Sequence, residues 1–432
     1  IVLFSSIFDA ASALNFGSVG LVPWVASLAA CILLKAVLGH RPIALGKHMG
    51  RVPVILLTIF FAYALFSGIV FPNLFEGLMV FRYSGLEPLS WGLTNLAQAC
   101  YLLAVATIFI LAASSSAAEM RDALQWYVRG CVVSAFIALY QLANATLHIP
   151  YPEAVLYSNP SHVIFPAYQM NGFWRLNSTF PEASELAGFM ALGIGLLGWE
   201  LANSKLTLWS SIKLCLLLGC ALLTFSTTGY LTLAYIIAMA IILYARHLLL
   251  RGTIAPTRLI MGVLALGILM GAAATPIVRS VTSEAIRSTV LDKKDSDSYR
   301  ARTETHGAAL DTARNTYLLG AGWGSVRPSG LFYMLFASVG VIGVLTFAAA
   351  VLSLYVPVFR RYRQQSSGQL LERSLFGISI MLLAMLIAGA EPIAPVLWAM
   401  FGIAVASNRP DRPGHSLLNH RHSIRHQAIE GH

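Results

Sequence analysis

Runs of about 20 apolar residues recur along the whole chain, and a run of that length crosses roughly 30 Å of hydrocarbon as an α-helix with its backbone hydrogen bonds made internally. A closed barrel is the other structure that satisfies a backbone in lipid, but the alternation of polar and apolar residues it needs is absent. The runs predict spans over about 18–38, 53–72, 92–113, 125–147, 183–202, 207–225, 229–249, 259–278, 330–356, 374–390 and 392–406, with residues 1–16 as a twelfth segment. The expected fold class is all-α, a polytopic transmembrane helical bundle of about 11–12 spans. Composition agrees: 57% of the 432 residues are hydrophobic and 11% charged, and a water-soluble chain of this size has no core large enough to hide so much apolar surface. The stretch up to Ala13 lacks the basic flank and small-residue cleavage site of a secretory signal.

The 29 lysines and arginines set the orientation, because short loops keep such residues on the cytoplasmic side. Most of them fall on one side of the predicted bundle, while two long loops, 149–182 and 279–329, fall on the other. The expected organisation is one transmembrane domain over 1–406, with both loops facing the periplasm, followed by a basic cytoplasmic tail over 407–432 that has no helical or strand period. A net charge of +10 does not signal nucleic acid here, since the basic residues are scattered and form no stripe. Five cysteines lie inside apolar runs without paired spacing, and no His, Cys or acidic spacing suggests a metal. The second loop is expected to carry a surface helix from Tyr299 to about Arg314, capped by Ser296 or Ser298, lying over the membrane as a lid.

The segment from Trp174 to Ala187 leads out of the first long loop into a span. Glu182 and Glu185 suit the positive end of that helix, which is a sufficient local role. The chemical reading is that Arg175 binds an anion just above the membrane. A carboxylate, Glu182 ahead of Glu185, would then act as general base, its proton affinity raised by partial desolvation. The segment from Gly320 to Gly330 is the second candidate, because its glycine spacing lets backbone amides approach a phosphate, with Ser325 in the turn and Arg327 beside the next helix start. An ordinary turn is the plain alternative. Arg279, Arg287, Arg300 and Arg302 belong to the same loop. Guanidinium groups bind diphosphates bidentately and stay charged, so two or three converging would hold a pyrophosphate leaving group without a metal, although singly each suits a solvated surface. His162 and His306 read as surface histidines, with His306 placed to share in glycan binding. Glu391, beside Pro392 in the last outer turn, is a weaker acid/base candidate.

Together the two segments resemble the O-antigen ligase and Wzy-type polysaccharide polymerase superfamily. The likeness lies in Arg175 followed by Thr179-Phe180-Pro181-Glu182 opening a span, and in a long outer loop ending in Gly320-x-Gly322-x-Gly324-Ser325-x-Arg327 before Ser338-Val339-Gly340-Val341-Ile342-Gly343. It covers roughly residues 90–405, its specific part being those two stretches; length and the Pro-Glu-Ala-Ser turn look most like the xanthan-type exopolysaccharide polymerases. The resemblance implies a GT-C-like, inverting, metal-independent membrane glycosyltransferase of the bacterial inner membrane, needing no cofactor. Its substrates would be oligosaccharide repeat units linked to undecaprenyl diphosphate. Membrane lipid, a chain-length regulator and export proteins are the implied partners, and nucleic acid is not.

On this reading Arg327 and Arg279 clamp the donor diphosphate with help from Arg175 or Arg302. Arg287, Arg300, Glu185, Ser325 and His306 complete the diphosphate and glycan site, and Glu182 takes the proton of the attacking sugar hydroxyl. Ligases of the superfamily carry a histidine near the position of Arg327; none occurs between Gly320 and Val339, which favours polymerisation over transfer of glycan to another acceptor. A transporter or flippase of lipid-linked sugars is the competing class. Almost no charge inside the spans, no internal repeat, and charges gathered on one face argue against it.

Overall fold

A computed structural model of the chain describes residues 1–17, 19–38, 51–82, 85–165, 168–170, 173–203, 207–251, 297–364, 369–388 and 392–407. It opens with a four-residue helix α1 (Val2–Ser5) and a hairpin β1 (Leu14–Phe16) and β2 (Val19–Leu21), then α2 (Pro23–Val37) and α3 (Arg51–Leu74). A second hairpin, β3 (Met79–Arg82) and β4 (Gly85–Pro88), precedes α4 (Leu93–Ser114), α5 (Ala117–Leu147) and the short α6 (Glu153–Leu156). A third, β5 (Tyr168–Met170) and β6 (Phe173–Arg175), leads into α7 (Ala183–Asn203), α8 (Leu208–Leu223) and α9 (Thr227–Arg251). After residues outside the described set come α10 (Asp297–Asn315), α11 (Leu331–Gln364), α12 (Gln369–Ile387) and α13 (Pro395–Ser407).

Six of these helices are long and apolar enough to cross a membrane among the described residues: Val52–Leu74, Leu93–Ser114, Ala117–Leu147, Ala183–Ala202, Leu331–Val356 and Leu370–Ile387. Four shorter apolar helices, Pro23–Val37, Leu208–Leu223, Thr227–Ile242 and Pro395–Ser407, fill out the bundle. The chain is a mostly helical, multi-pass membrane protein. Ile55, Ile59, Phe66 and Ile69 on α3, and Leu345 and Leu352 on α11, stand exposed on its flanks, as apolar side chains do when lipid rather than water surrounds them. By contrast α13 is buried from Pro395 to Ala406 and packs along α4 and α12. A Cβ at Gly402 would stand 2.5 Å from the Phe109 carbonyl oxygen, so a glycine is what lets α13 and α4 approach.

The helical class holds, with three short antiparallel hairpins in addition. Residues 1–16, the open twelfth segment, fold into α1 and the first strand of a hairpin, with Asp9 interrupting the apolar stretch. One expectation is corrected: the span that begins near residue 330 is not continuous, since Gly340 breaks α11 with φ 60° and ψ −163°. The expected span 259–278 and the tail 408–432 lie outside the described residues.

Candidate functional site

The loop entering α7 is polar yet deeply buried, with Asn177, Ser178 and Thr179 each at 1% exposure or less. Buried polar groups must find partners, and these do. Gln141 Oε1 on α5 accepts from the amides of Asn177 (3.2 Å) and Ser178 (2.9 Å), Ser178 Oγ donates to the Ser134 carbonyl (2.7 Å), and Thr179 Oγ1 donates to the Ile7 carbonyl. This scaffold fixes the residues at either end of the loop, Arg175 and Glu182.

Glu182 sits immediately before α7 and carries two guanidinium groups on one oxygen: Arg302 of α10 at 3.2 Å and Arg175 of β6 at 3.9 Å. Both arginines are also tied to carbonyls at helix C-termini, Arg302 to Ile387 at the end of α12 (2.8 Å) and Arg175 to Thr224 after α8 (3.2 Å). The last carbonyls of a helix lack intrahelical partners and carry partial negative charge, so they orient cations well. One turn further along α7, Glu185 faces the same space, and its Oε2 is buried without a hydrogen-bond partner among the described residues.

Arg327 arrives by a different route. The turn from Leu318 to Gly324 is threaded into the break of α11: Val341 N donates to Leu318 O (3.0 Å), Ala321 N to Ala337 O and Gly322 N to Ser338 O (both 2.8 Å). Its glycines are packing requirements. A Cβ would stand 2.5 Å from the Ser338 carbonyl at Gly320, 2.6 Å from the Ser67 carbonyl at Gly322 and 2.5 Å from Gln98 at Gly324, and all three have positive φ. The expected phosphate cradle is therefore corrected, because these glycines face helices α3, α4 and α11. Ser325 is fully buried and accepts from Asn95 Nδ2 at 2.8 Å, so it supports the turn from within. Beyond it Arg327 is pinned by its amide to the Phe81 carbonyl of β3 at 2.9 Å and turns into the cavity.

The cavity, about 630 Å³, opens at one end of the bundle and is lined by Arg175, Glu182, Glu185, Arg302 and Arg327. Five of the residues singled out in the sequence thus meet in one space. Its lining also includes the apolar side chains of Met334, Met381, Met385, Ile393 and Val396. Arg300 is exposed and does not line it. His306 stacks on Tyr333 with ring centroids 3.8 Å apart and contacts Ser329 Oγ through Nε2 at 3.2 Å, standing just behind the wall. Arg279, Arg287 and Glu391 lie outside the described residues.

Asp9 escaped the sequence reading, and His162 is corrected from a surface histidine to a cavity residue. Both face the same space, brought there by a seam between the N-terminal segment and the first long loop. Asn159 N donates to Ala10 O (3.1 Å), Ala10 N to Thr179 O (3.0 Å) and Gly20 N to Ser161 Oγ (2.8 Å). Burial raises the proton affinity of the Asp9 carboxyl above the ordinary carboxylate value, against the opposing influence of His162. Burial holds the His162 imidazole below 6.5; Arg327 adds to that lowering, and Asp9 works against it. The signal was present in the sequence: Asp9 is the first acidic residue of the chain and the next is Glu76, and an isolated carboxylate in an apolar stretch is costly unless it has a use.

The arrangement joins anchored cations to carboxylates in a partly desolvated pocket that also has apolar lining. It can bind an anion with an apolar attachment and move a proton beside it. No protein-family model matches this chain, and no curated protein matches it in sequence.

Proposed function

We propose that the chain is a membrane glycosyltransferase that polymerises oligosaccharide repeat units linked to undecaprenyl diphosphate into exopolysaccharide, at the periplasmic face of a bacterial inner membrane. The observation that carries this reading is the convergence of Arg175, Arg302 and Arg327, from three distant stretches of chain, on one cavity that also holds Glu182 and Glu185. Fixed guanidinium groups favour the state in which negative charge collects on the departing diphosphate, so their effect is larger in the transition state than in the bound substrate. The methionines and aliphatic residues of the same cavity suit the first isoprene units of a lipid carrier. A single displacement at the anomeric carbon inverts its configuration, and the arginines supply the positive charge that a metal would otherwise bring. The GT-C-like architecture and further spans beyond the six long helices belong to the same proposal.

In this scheme Glu182 orients Arg302 and Arg175. One oxygen of Glu182 is taken up by these two ion pairs, and in this scheme the base role expected for Glu182 passes to another group in the cavity. Ligation of glycan to a different acceptor is the second reading. It is favoured by one observation: imidazoles that the sequence lacks between Gly320 and Val339 come close in space, His162 in the cavity and His306 against Ser329.

The test is reconstitution of the purified chain with lipid-linked repeat units. Longer glycans and free lipid diphosphate are expected from the wild type, and R327A and R302A should each lower elongation by about 10²-fold or more while remaining in the membrane. Movement of lipid-linked sugar across the bilayer without elongation would replace this proposal with a transporter.

A further inference from the structure

The carboxylates of the cavity are not equivalent. Glu182 is engaged by two guanidinium groups, and Glu185 interacts with Asp9, Glu182 and Arg302. Asp9 belongs to a wall in which the N-terminal segment is joined to the loop at Ser158 and Asn159, stretches of chain distinct from those that carry Arg175 and Arg302. That wall is rigid, because the seam through Ala10, Ser12 and Gly20 joins it to the loop, and Tyr101 of α4 donates to the Gly20 carbonyl at 2.6 Å. The groups that face Asp9 are His162 from the loop, Glu185 from α7 and Tyr101 from α4, while Arg327 from the glycine turn acts on His162 and Tyr101 beside it.

Resting on the glycosyl-transfer reading, we propose that Asp9 is the catalytic base of this cavity and that His162 is its positioning residue, so that the wall carrying them is the acceptor subsite. The acceptor hydroxyl oxygen forms its bond to the anomeric carbon of the donor. The bond from that carbon to the diphosphate oxygen breaks, its electron pair staying on the diphosphate among the arginines. The hydroxyl proton passes to an Asp9 carboxylate oxygen and afterwards to solvent. Placing the base on a wall of its own has a physical reason: a free carboxylate among the arginines would repel the diphosphate and compete with it for the guanidinium groups. Partial burial leaves Asp9 a stronger proton acceptor than an exposed carboxylate, as general-base work near neutral pH requires.

The experiment uses the full chain in lipid with a lipid-diphosphate-linked repeat unit as donor and acceptor. D9N should elongate about 10²–10⁴-fold more slowly while retaining lipid-linked donor as the wild type does. D9A should behave likewise, with sodium formate restoring part of its rate by placing a small carboxylate in the vacated space, and formate should leave D9N unchanged. H162Q tests the second residue independently. His162 opposes the rise that burial imposes on the Asp9 carboxyl, so removing the imidazole should move the acidic limb of the rate profile to higher pH. Elongation by D9N near the wild-type rate overturns the assignment of Asp9, and an unmoved acidic limb in H162Q overturns that of His162. A wild type that binds donor but never elongates it removes the glycosyl-transfer reading itself, a result distinct from either.

Discussion

Arg302 spans two acceptors with one planar fork, the Ile387 carbonyl through NH1 and Glu182 through NH2. A lysine offers a point charge that cannot bridge both. R302K should therefore lose nearly as much donor affinity as R302A, on the order of 10-fold, in a titration with lipid-linked donor; full affinity in R302K would show that charge alone is used. His306 gives a pH prediction. Burial holds its imidazole below 6.5, with the positive charge of Arg302 adding to the effect and a bond to Ser329 opposing it. The unfolded chain then takes up the proton first as pH falls, so stability declines from about 6.5 downward until the folded imidazole titrates and is unaffected above. Thermal unfolding in detergent should show an acid-side loss that is smaller in H306N. Arg175, Glu182, Glu185, Arg302 and Arg327 were legible in the sequence because charge stands out in an apolar chain. Asp9 and His162 were not, since one sat in a stretch read as a span and the other had no acidic neighbour in sequence; they meet only through the seam at Asn159 and Ala10.

At the scale of elements, apolar length foretold the helices well, and α3, α4 and α7 begin within two residues of their expected starts. Capping chemistry explains a boundary that hydropathy missed. Ser116 and Glu119 form a capping box that starts α5 at Ala117, eight residues ahead of the apolar run. The break in α11 was not legible, because Gly340 is one glycine among many and its meaning comes from the turn that docks there. A Cβ at Gly340 would stand 2.1 Å from the Leu318 carbonyl oxygen, and the backbone conformation alone costs a non-glycine residue roughly 1–3 kcal/mol. G340A should therefore lower the unfolding temperature and reduce elongation together, because Arg327 hangs from the turn that this break receives. Normal activity in a fully folded G340A would show that the turn does not set the position of Arg327.

Across the whole molecule the two ends differ. One holds the cavity. The other carries Lys35, Arg129 over the Trp126 ring at 4.6 Å, Lys213 over the Trp209 ring at 5.5 Å and the ion pair of Arg373 with Glu200 at 3.2 Å. Basic residues beside tryptophan suit a headgroup region. If the cavity end faces the periplasm, a single cysteine placed at Val163 or Tyr317, both exposed, should react with a membrane-impermeant maleimide in intact spheroplasts, and one at Leu208 should not. The reverse pattern would invert the topology. The make-up of the pocket also has a consequence for biosynthesis. Asp9 enters its wall from an N-terminal stretch of chain, whereas Val396 comes from the last described helix and Ile393 from the turn before it, both synthesised long afterwards. A nascent chain still on the ribosome therefore has no finished pocket, and whatever the pocket holds must wait until the bundle has closed around it.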